Sequence, residues 1–252
     1  FPASIAARKL APALVMGNTV VFKPSSYAPL SGIRLAEALE KAGIPAGVVN
    51  CITGRAGEVG PVITNSSNIR AISFTGSTSA GAQIHRTVHL TTRLQMELGG
   101  KNAVIGMEEA DLDTAVDLAV KGGFSLTGQA CTGTSRILVV PSVKAAFTDK
   151  LLARGAQLKI GNGMKPGMDL GPLATEKQLK TVLKYVEIGK SEARLLCGGE
   201  RLTGGEFDKG YYVAPAVFTD VKNNMRIAQE EIFGPVLAII EVADFNDALA
   251  KA

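Results

Sequence analysis

Cys131 lies in Gly128-Gln129-Ala130-Cys131-Thr132-Gly133-Thr134-Ser135-Arg136, a small, polar, glycine-flanked stretch between two regular-element signals. The apolar neighbours of a core thiol are missing there. Cysteine reacts as its thiolate, which a helix N-terminus or a nearby cation favours, so this setting is open to nucleophilic chemistry; a structural thiol is the other reading. A thioester formed on a cysteine needs a base to activate water. Glu97, in Glu97-Leu98-Gly99-Gly100-Lys101-Asn102, suits that task because adjoining glycines leave a carboxylate free to swing. A solvated loop acid or a helix cap is the ordinary alternative for such a glutamate.

Two glycine-rich stretches have the chemistry of anion cradles. Thr75-Gly76-Ser77-Thr78-Ser79-Ala80-Gly81 follows the apolar run Ile72-Ser73-Phe74 and leads into a helical pattern, so its amides and the helix N-terminus can receive a phosphate. Gly54, Gly57 and Gly60 are similarly spaced after another apolar run. Neither stretch has the GxGxxG spacing of the usual dinucleotide loop, and each alone is equally compatible with a tight turn.

The remaining reactive side chains read as scaffold. Cys51 sits in an apolar strand pattern and Cys197 precedes a Gly198-Gly199 turn. His85 and His89 have i, i+4 spacing, which predicts one shared helical face, but they have no acidic or cysteine companions. No metal is expected. Three scattered cysteines form no disulfide framework, which points to a reducing, cytoplasmic setting.

These residues need a frame, and the composition provides for one. With 252 residues, 46% hydrophobic and 28 glycines, the chain is long enough for one large or two modest cores. The net charge of +4 arises from 27 basic and 23 acidic residues scattered along it, without the basic runs of a nucleic-acid groove. No apolar run reaches membrane-spanning length, and no signal-peptide pattern opens the chain. The expected partners are therefore neither nucleic acid nor membrane.

Apolar periodicity predicts a helix over 3–16, a strand over 19–23, a helix over 31–41 ended by Gly43, a strand over 48–52, a helix over 58–63 and a strand over 71–74. Such alternation is the unit of a doubly wound α/β sheet. After Gly100 the pattern restarts, with strands over 103–105 and 137–140 and helices over 112–121 and 143–153. Two domains are expected, 1–100 and 101–252, with Cys131 in the second. The chain opens on Phe1-Pro2 and stops in Phe245-Asn246-Asp247-Ala248-Leu249-Ala250, a helix barely begun, as expected of an internal piece of something longer.

Five motifs in order resemble those of the aldehyde dehydrogenase superfamily: Phe22-Lys23-Pro24-Ser25, Phe74-Thr75-Gly76-Ser77-Thr78, Glu97-Leu98-Gly99-Gly100-Lys101, Gly128-Gln129-Ala130-Cys131 and Glu230-Glu231-Ile232-Phe233-Gly234-Pro235-Val236. The resemblance implies a Rossmann-like cofactor domain followed by an α/β catalytic domain, truncated at both ends. It implies attack of Cys131 on an aldehyde, hydride transfer to NAD or NADP, and hydrolysis of the thioester by water that Glu97 activates. It further assigns Lys23 and Ser26 to the adenine ribose, Gly60, Gly76 and Ser77 to the adenine side and pyrophosphate, Leu98 and Gly99 to the cofactor, and Glu231 with Phe233 to the nicotinamide ribose and ring. The family is dimeric or tetrameric.

Two departures bear on activity. The family's oxyanion asparagine would stand immediately before Phe1, so the chain as written is expected to turn over weakly or not at all. Ser26 stands where NAD-preferring members place a glutamate, and with Lys23 and Arg55 as sources of positive charge this predicts acceptance of NADP. The substrate is expected to be a semialdehyde, with Leu126, Thr127 and Thr132 forming a small polar rim near Cys131 and Phe124 close to the aldehyde path. A coenzyme A-acylating enzyme is disfavoured by Glu97; a cofactor-binding remnant without catalysis is the other alternative.

Overall fold

Residues 1–99 alternate helix and strand along their whole length. The computed structural model describes all 252 residues and divides into two compact units, Phe1–Gly99 and Gly100–Ala252. In the first, the order is α1 (Ser4–Val15), β1 (Val20–Phe22), α2 (Pro29–Lys41), β2 (Val49–Cys51), α3 (Ala56–Thr64), β3 (Ala71–Thr75), α4 (Thr78–Thr87) and β4 (Arg93–Glu97). Local chemistry explains the ends. Pro29 opens α2, where a missing N–H costs nothing, Lys41 sits in its last turn, and Gly43 follows at φ +88°. Ser77 caps α4 by accepting the Ala80 amide at 3.3 Å.

The strands of this unit are parallel, as expected, yet they form two separate pairs, β1 with β2 and β3 with β4. Each strand therefore keeps one open edge. Burial is correspondingly sparse: among apolar side chains only Ala6 and Leu10 of α1 fall in the fully buried class alongside Pro24, and Val21 of β1 is 44% exposed.

The second unit runs β5 (Asn102–Gly106), α5 (Leu112–Phe124), β6 (Thr134–Val139), α6 (Pro141–Gly155), α7 (Glu176–Glu192), β7 (Arg194–Cys197), β8 (Ala216–Thr219), α8 (Arg226–Gln229), β9 (Val236–Glu241) and α9 (Phe245–Lys251). Its five strands lie in the order β5-β6-β9-β8-β7, all pairs parallel except β7 with β8. Strand alternation sends Ile137, Val139, Leu237 and Ile239 into one core with Val116, Val120, Phe147 and Leu151 of α5 and α6. The opposite positions, Leu138, Phe218, Ala238 and Ile240, meet Leu179, Val182 and Val186 of α7. The result is three layers, helix, sheet, helix, in which β6 and β9 are buried on both faces.

Asp111 caps α5 through the Thr114 amide at 2.7 Å, and Thr175 caps α7 through Gln178 at 3.1 Å. The α5 cap fixes where that helix begins, and its far end delivers the chain to the stretch that carries Cys131. The histidine pair also differs from the sequence reading. α4 ends at Thr87, so His85 and His89 do not share a helical face; His89 lies beyond the helix, with Nδ1 3.0 Å from the Thr91 hydroxyl. No helix is long and apolar enough to cross a membrane.

Candidate active site

Between α5 and β6 the backbone turns through Ser125–Gly128 before reaching Cys131. Three consecutive residues are left-handed: Leu126 at φ 55°, Thr127 at φ 58° and Gly128 at φ 67°. Two non-glycine residues in that region cost of order 1–3 kcal/mol each, so surrounding contacts must hold them. Thr127 is buried and donates its hydroxyl to Gly171 O at 3.0 Å, while Gln129 Oε1 accepts the Ala174 amide at 2.9 Å. Gly128 has a further reason to be glycine: a Cβ there would sit 2.1 Å from Gly234 O.

The half-buried Cys131 follows in an open turn closed by Gly133 N donating to Ala130 O at 2.9 Å. Asn102, at the start of β5, holds this turn from beneath. Its side-chain amide donates to Cys131 O at 2.7 Å and Gly133 O at 3.2 Å. The expected rim is corrected in part: Leu126 and Thr132 remain accessible, but Thr127 is spent on Gly171, and Phe124 is packed in the core against β9.

Gly234 connects this turn to Glu231 and Phe233. Phe233 is itself left-handed at φ 55°, and Gln178 Nε2 steadies it by donating to the carbonyls of Ile232 and Phe233, both at 2.9 Å. Glu231 is partly buried, which pushes its carboxyl up, against the opposing pull of the Gly100 amide and the Lys101 charge. A crevice of about 20 Å³, room for roughly one water, is lined by Gly100, Gly128, Ala130, Glu231, Phe233 and Gly234 among others. Glu231 and Phe233 thus flank the same crevice as the backbone just before Cys131.

In the first unit, Glu97 is the last residue of β4 rather than a loop residue. Its backbone carbonyl accepts the Gly76 amide at 3.1 Å, which ties the Gly76-Ser77 turn to the glutamate. Its carboxylate accepts Gln95 Nε2 at 2.6 Å. Gln95 Oε1 in turn accepts the Ser73 hydroxyl from the register-paired position on β3, and Lys9 of α1 donates to Ser73 Oγ at 2.8 Å. Burial lowers the Lys9 pKa, with the Glu97 charge acting in the opposite sense. Lys9, Ser73 and Gln95 escaped the sequence reading, although Ser73 and Gln95 occupy outward positions of two alternating strands.

The other expected cofactor residues scatter over this unit. Lys23 follows β1, with Nζ 3.1 Å from Pro24 O. Ser26 donates its hydroxyl to Gly54 O at 2.9 Å. Gly57 and Gly60 lie inside α3, where an added Cβ would meet nothing of the chain, leaving a bare strip on that helix. Leu98 packs on Gly81, where a Cβ would come within 2.6 Å of it, and Gly99 ends the unit. No group of three or more His, Cys, Asp or Glu side chains is placed to hold a metal ion.

Known proteins are similar to this chain along its length. The model of the aldehyde dehydrogenase family matches residues 1–252. A 2,5-dioxopentanoate dehydrogenase of Saccharolobus solfataricus is 46% identical across 99% of this chain and 52% of its own length. An alpha-ketoglutaric semialdehyde dehydrogenase of Bacillus subtilis is 43% identical across 99% and 51%. Among solved structures, a 1-pyrroline-5-carboxylate dehydrogenase from Thermus with bound NAD superposes with TM-score 0.94 at 38% identity, covering 100% of this chain and 49% of that one. A betaine aldehyde dehydrogenase from Staphylococcus aureus in complex with NAD+ gives TM-score 0.95 at 36% identity, covering 98% and 49%. The chain spans about half the length of the curated relatives it matches. The family match over residues 1–252, together with these relatives and the close overlay on these solved structures, establishes that the chain belongs to the aldehyde dehydrogenase family.

Proposed function

We propose that this chain carries the nucleophile and base of an NAD(P)-dependent oxidation of a semialdehyde to a carboxylic acid. The observation that carries the reading is the Cys131 turn, whose two carbonyls are tied to Asn102 while the thiol stays partly accessible. In this role Cys131 Sγ bonds to the aldehyde carbon, and its backbone amide is one donor to the oxyanion that forms. The bound nicotinamide supplies the hydride acceptor that turns this adduct into a thioester. Glu97 then takes a proton from water, whose oxygen attacks the thioester carbon, and the sulfur leaves as the carboxylic acid is released. Gln95 holds the Glu97 carboxylate during this step.

The residues present fit the cofactor. The bare strip at Gly57 and Gly60 admits a flat group without a side chain in the way, and the Ser77-capped start of α4 offers amides to phosphate. Glu231 and Phe233 at the crevice suit the nicotinamide ribose and ring, and Lys23 the adenine ribose. The neutral Ser26 places no negative charge against a 2′-phosphate, so NADP is accepted alongside NAD. Replacement by glutamate (Ser26→Glu) should discriminate against NADP, and unchanged relative affinities would remove Ser26 from the assignment. The semialdehyde class rests on the two curated relatives named above.

Rapid mixing with 2-oxoglutarate semialdehyde and NAD(P)+ tests the chemistry. Glu97→Gln should release one equivalent of NAD(P)H and stall, and Cys131→Ala should release none. A burst from Cys131→Ala would eliminate that thiol as the nucleophile. The open strand edges of the first unit favour a second reading, cofactor binding without turnover. Clear NAD(P) binding with no burst from the unmodified chain would support it.

A further inference from the structure

Two glutamates adjoin in the chain, Glu230 and Glu231, and of the two Glu231 lines the crevice. Their side chains are chemically the same, so what separates them is what each one touches. Three hydrogen bonds hold Glu230: Arg226 donates from Nε to Oε1 and from Nη2 to Oε2, both at 2.9 Å, and Tyr185 of α7 donates its hydroxyl to Oε2 at 2.6 Å. The Arg226 guanidinium also lies over the Tyr185 ring, 6.0 Å from its centroid. An exposed ion pair alone is worth little, but a bidentate pair shared with a third group completes all its bonds in one geometry only. Glu192, at the end of α7, fixes the base of this cluster by accepting the amides of Arg226 at 3.2 Å and Ile227 at 3.3 Å.

The same helix grips the rest of the segment. Gln178, Val182 and Tyr185 follow one another at intervals of four and three residues, which puts them on one face of α7. Gln178 holds the carbonyls of Ile232 and Phe233, and a Cβ on Gly234 would come 2.4 Å from Val182 Cγ2. Ile232, only 4% exposed, belongs to the core that Leu179, Val182 and Val186 build. Glu230 is extended, at φ −98° and ψ 137°, and side chains along an extended chain leave on alternate sides. With Glu230 and Ile232 turned to α7, Glu231 is left to face the crevice. A slip of one residue would exchange the two glutamates, as it does in a strand.

We propose that Glu230 is a positioning residue: its latch to Arg226 and Tyr185 sets the register of residues 230–233 on α7 and so commits Glu231, rather than its neighbour, to the crevice. The consequence for cofactor binding rests on the reading of Glu231 as the nicotinamide-ribose ligand. One glutamate then anchors the segment, and the other is free to accept hydrogen bonds from hydroxyls.

The seating of the segment can be read without cofactor. The chain contains no tryptophan, so Phe233→Trp supplies a single fluorescent reporter, and its quenching by acrylamide is measured in the full chain. Adding Glu230→Ala should raise the quenching constant. Tyr185→Phe and Arg226→Gln probe the latch with the segment untouched, should the alanine variant fold poorly. Quenching unmoved in the folded latch variants overturns the proposal. Binding of NAD(P)+ is measured separately, in chains that keep Phe233. Glu230→Ala should weaken it about tenfold or more, the loss expected when hydrogen bonds to a charged acceptor are forfeited, and should add nothing in the Glu231→Gln background. Glu230→Arg and Arg226→Glu should each weaken binding and together recover it, which a general loss of stability would not do. Equal weakening by Glu230→Ala in both backgrounds overturns the proposal, as does unchanged binding in Glu230→Ala where Glu231→Gln weakens it. Unchanged affinity in Glu231→Gln removes Glu231 as the ribose ligand, and the reporter alone then decides the register.

Discussion

The two units use the same strand-helix grammar and arrive at different interiors. In the second, β6 and β9 have neighbours on both edges and helices on both faces, so Ile137, Leu138, Leu237 and Ile239 are fully buried. In the first, each strand has one neighbour, and β4 alternates half-buried and exposed positions along its length. A parallel strand gains most of its stabilisation from coverage on both faces, since its hydrogen bonds are no stronger than those of other ladders. Local pattern is therefore enough to produce an element, while a core requires a sheet with neighbours.

Hydrogen exchange should expose this contrast most strongly. Amides of β6 and β9 are expected to exchange roughly a thousandfold more slowly than those of β1 and β3, because little apolar area is lost when the latter open. Equal protection would break the comparison. Next in size, Phe218→Ala should cost about 3–5 kcal/mol in denaturant unfolding, whereas Leu10→Ala, the best-buried large side chain of α1, should fall near the low end for leucine, about 2 kcal/mol. Matching losses at the two sites would show that the first unit has a firmer interior than its burial indicates.

A smaller effect concerns a buried charge of the second unit, the Lys101 ammonium, which makes no hydrogen bond. The folded-state pKa of Lys101 lies below its ordinary 10.5, at about 8, so between those values the unfolded chain binds more protons. Stability from this group is thus lowest below pH 8 and recovers as pH rises toward 10.5. The difference between wild type and Lys101→Met should shrink across that window; a constant difference would place the ammonium in solvent. Smallest of all, Asp111→Ala and Ser77→Ala should each cost about 1 kcal/mol, one in either unit, because a cap acts within its own helix turn. A clear disparity between the two caps would show that the weaker core loosens its helices as well.

Sequence periodicity located α1 to α3, β1 to β3, α5, β6 and α6 because each carries its own apolar spacing. Gly99 and Gly100 suggest freedom on the C-terminal side of Glu97, with a loop acid or a helix cap as the ordinary alternative to a general base. The alternation Arg93-Leu94-Gln95-Met96-Glu97 held the strand signal, and the ladder with β3 settles it. The Cys131 turn and the Glu231-Phe233 loop were legible as motifs, but their shared crevice was not, since it depends on Gly128 and Gly234 meeting across more than a hundred residues of chain. Lys101 was equally hidden. A lysine is ordinarily a solvent-facing residue, and only tertiary packing reveals one whose amine is enclosed.

The approach of Gly128 to Gly234 has a practical meaning for anyone seeking variants with altered substrate range. A methyl group at Gly128 would strike the Gly234 carbonyl, and one at Gly234 would strike Val182 of α7, so a library that randomises the Cys131 turn must leave Gly128 unchanged. Diversity at Ser125, Leu126 and Thr132 is open to exploration one position at a time. At Gly128 no change at position 234 compensates, because the obstacle is a backbone carbonyl that every residue there retains.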